Sequence, residues 1–166
     1  MAKYWNENDQ LVQGDNLLLY LVNSGTVLAY ATSCSIQVDS ESIDTSSKFS
    51  CKWASAMGGK ASYTISADAL YASLSGDSAS IAISFDTLIE HMVTGDQIEW
   101  YMGEEEDFDG VCDENPHTLD TGKTYYNGKA VVTSCSLEAG NNEIASCSIT
   151  LTGAGEIQKN GQQIGS

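Results

Sequence analysis

The side chains able to do chemistry are few, and their spacing serves no familiar reaction. The densest cluster is the acidic run Glu104 to Asp109, in which Glu105, Asp107 and Asp109 precede Gly110. Those are offsets one, three, five and six of an EF-hand calcium loop. Such a loop needs a bidentate carboxylate at position twelve, which here is Pro116, and no helical pattern leads into the run. It reads as a solvated acidic loop. The two imidazoles, His91 and His117, stand in no His-x-x-x-His or His-Glu-x-x-His arrangement that would hold zinc. No Gly-x-Ser-x-Gly elbow, Walker loop or dinucleotide fingerprint occurs, and the absence of arginine removes the usual bidentate clamp for phosphate or carboxylate. No catalytic, cofactor-binding or metal site is expected, and enzyme activity is set aside.

Five cysteines (Cys34, Cys51, Cys112, Cys135 and Cys147) are odd in number, lack Cys-x-x-Cys spacing and are too sparse in 166 residues for a disulfide scaffold. They point to folding in a reducing cytoplasm. Charge is the most lopsided property: 23 acidic residues face seven lysines, for a formal net charge of −16. Residues 61–122 hold fourteen carboxylates and no lysine, so phosphate meets like charge there and nothing able to displace its counterions. Specific nucleic-acid binding is excluded, and solubility is the simplest consequence. The amino terminus has no apolar h-region and no run of eighteen apolar residues occurs, so neither a signal peptide nor a membrane span is expected.

The length suits one domain. Fifteen Gly, one Pro and many short β-branched runs favour strands and turns over a helical bundle. Residues 1–15 read as an arm anchored by Tyr4 and Trp5. Residues 16–22 and 26–31 read as a hairpin split by Asn23-Ser24-Gly25, with a third strand from Cys34 to Val38. Residues 39–60, with seven Ser or Thr and little alternation, are expected as a long loop covered through Trp53 and Met57. Alternation returns at residues 61–67, with Tyr63 and Ile65 on one face and Ser62, Thr64 and Ser66 on the other. Another strand spans 79–84. One helix follows, since Phe85, Leu88, Ile89, Met92 and Val93 make an apolar stripe between Ser84 as N-cap and Gly95 as C′. Residues 97–102 form a strand with Ile98, Trp100 and Met102 on one face.

The clearest hairpin joins residues 125–138 to 144–152. Its apolar face is expected to carry Val131, Thr133, Cys135 and Leu137 against Ala145, Cys147, Ile149 and Leu151, with Leu137 opposite Ala145 and Cys135 opposite Cys147. The other face carries Ser134, Ser136, Glu138, Ser146, Ser148, Thr150 and Thr152, small polar groups without a base, and must face water.

In this order the features resemble the major tail tube proteins of long-tailed phages, the group that includes the TP901-1-type major tail protein. The resemblance covers most of the chain. It is strongest from Gly128-Lys129-Ala130-Val131 to the strand ending Thr152-Gly153-Ala154-Gly155, and it includes Ile43 to Lys48 followed by Trp53, and the helix from Phe85. It implies a β-sandwich or barrel, mainly β with one short flanking helix, lending strands to a hexameric ring with an inner β-barrel. It implies a single tail tube domain over 1–166 that stacks its rings into a tube, with the tape measure, tail terminator and tail tip proteins as partners. Genome DNA passes through without specific binding, no membrane is involved, and the subunit is folded in the host bacterial cytoplasm and carried in the virion tail. The lumen-lining candidates are Ser134, Ser136, Glu138, Ser146, Ser148 and Thr150. The candidates for contact between rings are Tyr4, Trp5, Asp44, Lys48, Trp53 and Met57, from the arm and from segment 39–60. Six copies of −16 carry about −96 per ring. Two other readings fit the composition: a monomeric β-sandwich that binds carbohydrate or adheres, and the tube protein of a phage-like injection or secretion system.

Overall fold

Runs of β-branched and aromatic residues broken by Gly, Asn and Asp fold as strands joined by turns. The computed structural model describes residues 14, 17–21, 27–28, 31–47, 53–72, 82–106 and 118–164. The expected arm, with Tyr4 and Trp5, lies outside them, as does Lys48. Among the described residues the strands are β1 (Leu17–Leu21), β2 (Val27–Leu28), β3 (Ala31–Asp44), β4 (Ala56–Leu70), β5 (Ala82–Ile83), β6 (Gln97–Glu104), β7 (Tyr126–Glu138), β8 (Ser146–Gly153), β9 (Gln158–Lys159) and β10 (Gln162–Gln163). Helix α1 (Phe85–Thr94) separates β5 from β6. The strands make one sheet in the order β3-β4-β8-β7-β6-β1-β2-β5, with β9 and β10 branching from β7. Every pairing is antiparallel except β2 with β5.

The sheet curls around a main core, with a smaller cluster of Tyr20, Val27 and Leu119 beside it. Tyr63 on β4 meets Trp100 on β6, three places away in the strand order, with ring centroids 5.5 Å apart. Trp100 is fully buried and its Nε1–H donates to the Tyr63 hydroxyl at 3.2 Å. That hydroxyl in turn donates to the Lys129 carbonyl, so neither polar atom is left unpaired in the core. The rings fit because two glycines lie under Tyr63. A Cβ at Gly153 would stand 2.5 Å from its ring, and one at Gly128 would stand 2.7 Å from its hydroxyl. Leu19, Leu21, Ile65, Leu88, Ile98, Met102 and Leu151 complete the packing.

Helix α1 begins and ends where its caps dictate. The Ser84 hydroxyl accepts from the Thr87 N–H, and Gly95, at φ 74°, donates its N–H to the His91 carbonyl at 3.0 Å. Phe85 and Leu88 are buried, Ile89 and Met92 half-buried, but Val93 is exposed. Eight residues beyond Phe85, Val93 has rotated about 80° off the stripe.

Two expectations are corrected. Residues 39–60 are not loop throughout, because β3 runs on to Asp44 and β4 starts at Ala56, and these ends pair with each other as Ser42↔Gly58, Ile43↔Met57 and Asp44↔Ala56. The chain here is exposed on both faces, so it needs no apolar alternation to be strand. The β7–β8 register also differs. Leu137 lies opposite Cys147 rather than Ala145, and Cys135 opposite Ile149 rather than Cys147. The connection runs from Ala139 to Ala145, longer than expected, and β8 is held on its other side by β4, where Ala69 faces Cys147 and Ile65 faces Leu151. An irregularity between Val132 and Ser134 inserts Thr133 and moves the core side of the strand from Ala130 and Val132, both buried, to Cys135, half-buried, with Leu137 on the same side but exposed at the strand end. Val131 and Thr133 thus leave the apolar face expected for them. Cys34, Cys135 and Cys147 are free thiols.

Candidate assembly surface

The outward side of four neighbouring strands forms one polar field. The six lumen-lining candidates come together as cross-strand partners: Ser134↔Thr150, Ser136↔Ser148 and Glu138↔Ser146. The Thr133 hydroxyl, next to them, lies 3.1 Å from that of Thr152. Strand β4 extends the field through Asp68↔Ser148, Ser66↔Thr150 and Thr64↔Thr152. Strand β3 extends it again through Ser33↔Asp68, Ser35↔Ser66, Gln37↔Thr64 and Asp39↔Ser62. The same strands turn Cys34, Ile36, Tyr63, Ile65, Ala67, Ile149 and Leu151 to the core. The period-two pattern places every one of these polar groups on the face the core does not use.

Asp68 ties the field together. It accepts from the Ser148 hydroxyl on β8 at 2.7 Å and from the Ser33 hydroxyl on β3 at 3.0 Å. The Ser148 bond first and the Ser33 bond second favour the ionised form and hold the carboxyl below the ordinary aspartate value of 3.8. A depressed folded-state pKa contributes stability that is complete above the unfolded value and lost as pH falls through the folded one. The gap in melting midpoint between the wild type and Asp68→Asn is therefore expected to be widest above the ordinary aspartate value of 3.8 and to close as pH falls below it. A gap that stays constant over that range would refute the role given to the ionised carboxylate. Asp68 and its β3 partners were missed as a group in the sequence, although Thr64 and Ser66 already stood on the polar side by alternation.

Base-free holds for the segments that make this field, namely 33–39, 62–68, 134–138 and 146–152. Lys129 lies on β7 beyond the Thr133 irregularity, opposite Glu99 on β6. It lines an open cleft of about 490 Å³ with Glu99, Glu156 and Gln158.

Two strand edges flank the field. No described strand pairs with β3 on the side away from β4, and β6 pairs with β7 only as far as Val131. Residues 133–138 of β7 therefore have β8 on one side and no described strand on the other. Long unpaired edges are templates for another chain.

Of the other candidates, Asp44, Trp53 and Met57 come together at the end of the β3–β4 hairpin. Met57 pairs with Ile43, and the Asp44 carboxyl is held below its ordinary value by the Ser46 hydroxyl first and second by the Ser46 N–H, from which it accepts at 2.8 Å. Thr45 and Ser55 carry the ladder further through a backbone bond of 2.9 Å and their hydroxyls. Trp53 is 82% exposed and Met57 57% exposed, large apolar groups left open by the described residues.

Solved structures share this fold. The tail of an empty gene transfer agent particle, refined with C6 symmetry, superposes with a TM-score of 0.65 at 18% identity, over 89% of this chain and 98% of that one. The native gene transfer agent virion gives 0.66 at 18%, over 90% and 98%. The SPP1 tail tube gives 0.60 at 15%, over 92% and 81%. No curated protein matches by sequence. The model of the phage tail tube protein family matches residues 11–159, and the chain belongs to that family.

Proposed function

We propose that the protein closes into hexameric rings by pairing the β3 edge of each copy with residues 133–138 of β7 on the next. The stacked rings then form a conduit whose wall is the Ser/Thr field. The tail tube role and the absence of catalysis come with the family. The observation that carries the ring is the pair of edges, on either side of the polar field, that no described strand covers. Each copy supplies β3, β4, β8 and β7, so six copies close a barrel of about 24 strands with no free edge. The C6 symmetry of the gene transfer agent tail supports the number six.

A conduit must pass duplex DNA without holding it. Bases on its wall would bind phosphate and release counterions, giving tight, salt-dependent retention. The proposed wall offers Ser and Thr hydroxyls with Asp39, Asp68 and Glu138, which hydrate the surface and repel phosphate. Tape measure protein inside the tube, terminator and tip proteins at its ends, and assembly in the host cytoplasm belong to the same proposal. Negative-stain microscopy of purified protein at rising concentration is expected to show rings and then tubes of constant width. A chain that stays monomeric throughout and binds a specific glycan would support the adhesive module instead.

A further inference from the structure

We infer that neighbouring copies meet in the ring with a slip of four residues, set by an apolar seam behind the polar wall in which Cys135 and Leu137 of one copy lie opposite Val38 and Ile36 of the next. This rests on the ring reading and adds to it which residues meet and how steeply the wall strands tilt. Followed straight across the four strands, the pairings run from Ser136 through Ser148 and Asp68 to Ser33. Closure without slip would set Ser33 against Ser136 of the next copy, and Cys34 against Cys135. It would also leave the strands upright, whereas barrel strands tilt by about 35–45°. Four strands span about 19 Å across and each residue of slip is about 3.3 Å along, so slips of two, four and six residues tilt them by about 19°, 35° and 46°. Odd slips would turn one copy's polar side chains to the core. Strand order fixes the direction. A four-residue slip toward the start of β3 would bring Leu137 and Glu138 of the next copy onto Leu28 and Val27 of β2, which already has β1 on one side and β5 on the other.

Apolar contact selects the slip of four. Val38, 55% exposed, and Leu137, 48% exposed, stand on the two edges that no described strand covers, and both lie on the core side, opposite the buried Tyr63 and Cys147. Val38 and Tyr63 also line an open cleft of about 450 Å³ with Ile157 and Ile164. A slip of four sets Cys135 against Val38 and Leu137 against Ile36, while Ser134, Ser136 and Glu138 meet Asp39, Gln37 and Ser35 on the wall. A slip of two sets Val38 against the Thr133 hydroxyl instead. A slip of six carries the ladder across the irregularity between Ser40 and Ser42. At a tilt of about 35°, about 24 strands close with a backbone-to-backbone diameter of about 45 Å.

The test oxidises assembled tubes of the full chain with copper phenanthroline in air, which joins two thiols as a disulfide and passes their electrons to oxygen, and maps the products by mass spectrometry. Val38→Cys is expected to give disulfides between position 38 of one copy and Cys135 of the next, because facing residues of an antiparallel pair stand about 4.5–5.5 Å apart at Cα, within reach of that bond. Ile36→Cys, Ser40→Cys and the native Cys34 are expected to give none with Cys135 of another copy. Val38→Asp is expected to cut tube yield at least tenfold while leaving the monomer's melting midpoint unchanged, and tubes at wild-type yield would overturn the seam. Disulfides to Cys135 from position 34, 36 or 40 instead of 38 would overturn the slip of four and leave the ring standing. Tubes in which none of these positions reaches Cys135, or wild-type chains that never form tubes, would overturn the edge pairing as well.

Discussion

Trp100→Ala is expected to destabilise the monomer by about 3–5 kcal/mol, the largest loss of any single change in the fold. Trp100 is fully buried, and it is the contact through which the curled sheet closes on itself. Removing the indole leaves a cavity against Tyr63 and takes a donor from the Tyr63 hydroxyl, which keeps its bond to the Lys129 carbonyl. The melting midpoint should fall by about 6–20 °C for a chain of this size. Gly153→Ala attacks the same junction from the other side, since its new methyl would meet the Tyr63 ring at 2.5 Å. It is expected to cost about 1–3 kcal/mol by overpacking. Because both changes act on Tyr63, the double variant should lose less than the sum of the singles. Thermal denaturation of the three variants below the assembly concentration measures all of this, and additive losses would show that the junction is not a unit.

The second large effect is on transport. Ser136→Lys places a base at the centre of the polar field, opposite Ser148, at an exposed position that leaves the core untouched. A hexameric ring would gain six positive charges facing DNA, and each stacked ring would repeat them. Assembled tubes of the variant are expected to retain duplex DNA with a slope of log affinity on log salt of about −5 if six phosphates are engaged per ring. Ejection through them is expected to slow at least tenfold at low salt and to recover as salt rises. Wild-type tubes should retain none. Unchanged ejection, with no salt-dependent binding, would remove the electrostatic part of the proposal.

Much of this was legible in the residues. The stripe from Phe85, capped by Ser84 and Gly95, gave helix α1 almost to the residue, because capping and periodicity are local. Alternation around Tyr63, Ile65, Ile98, Trp100 and Met102 sorted inward from outward correctly, since one side of each strand meets the core. The same signal was silent over 39–44 and 56–60, where strand pairs with strand in solvent and neither face is apolar. It also misled at Val131 and Thr133, because an inserted residue leaves clean alternation on both sides and does not announce itself. The six polar candidates share one face in the observed register as in the expected one, because a slip of two residues preserves which face a side chain takes. Asp68 became visible only when the topology set β4 between β3 and β8, a long-range pairing that no local pattern encodes. The unpaired edges are likewise a property of strand order.

Cryo-electron microscopy of tubes assembled from the purified chain tests the central claim most directly. The expected map places β3 of each copy in hydrogen-bonding register with residues 133–138 of β7 on its neighbour, with Ser136, Ser148 and Asp68 on the inner wall. A map in which the β3 edge stays open, or in which Ser136 and Ser148 are buried between subunits or turned to the outside of the tube, would contradict it.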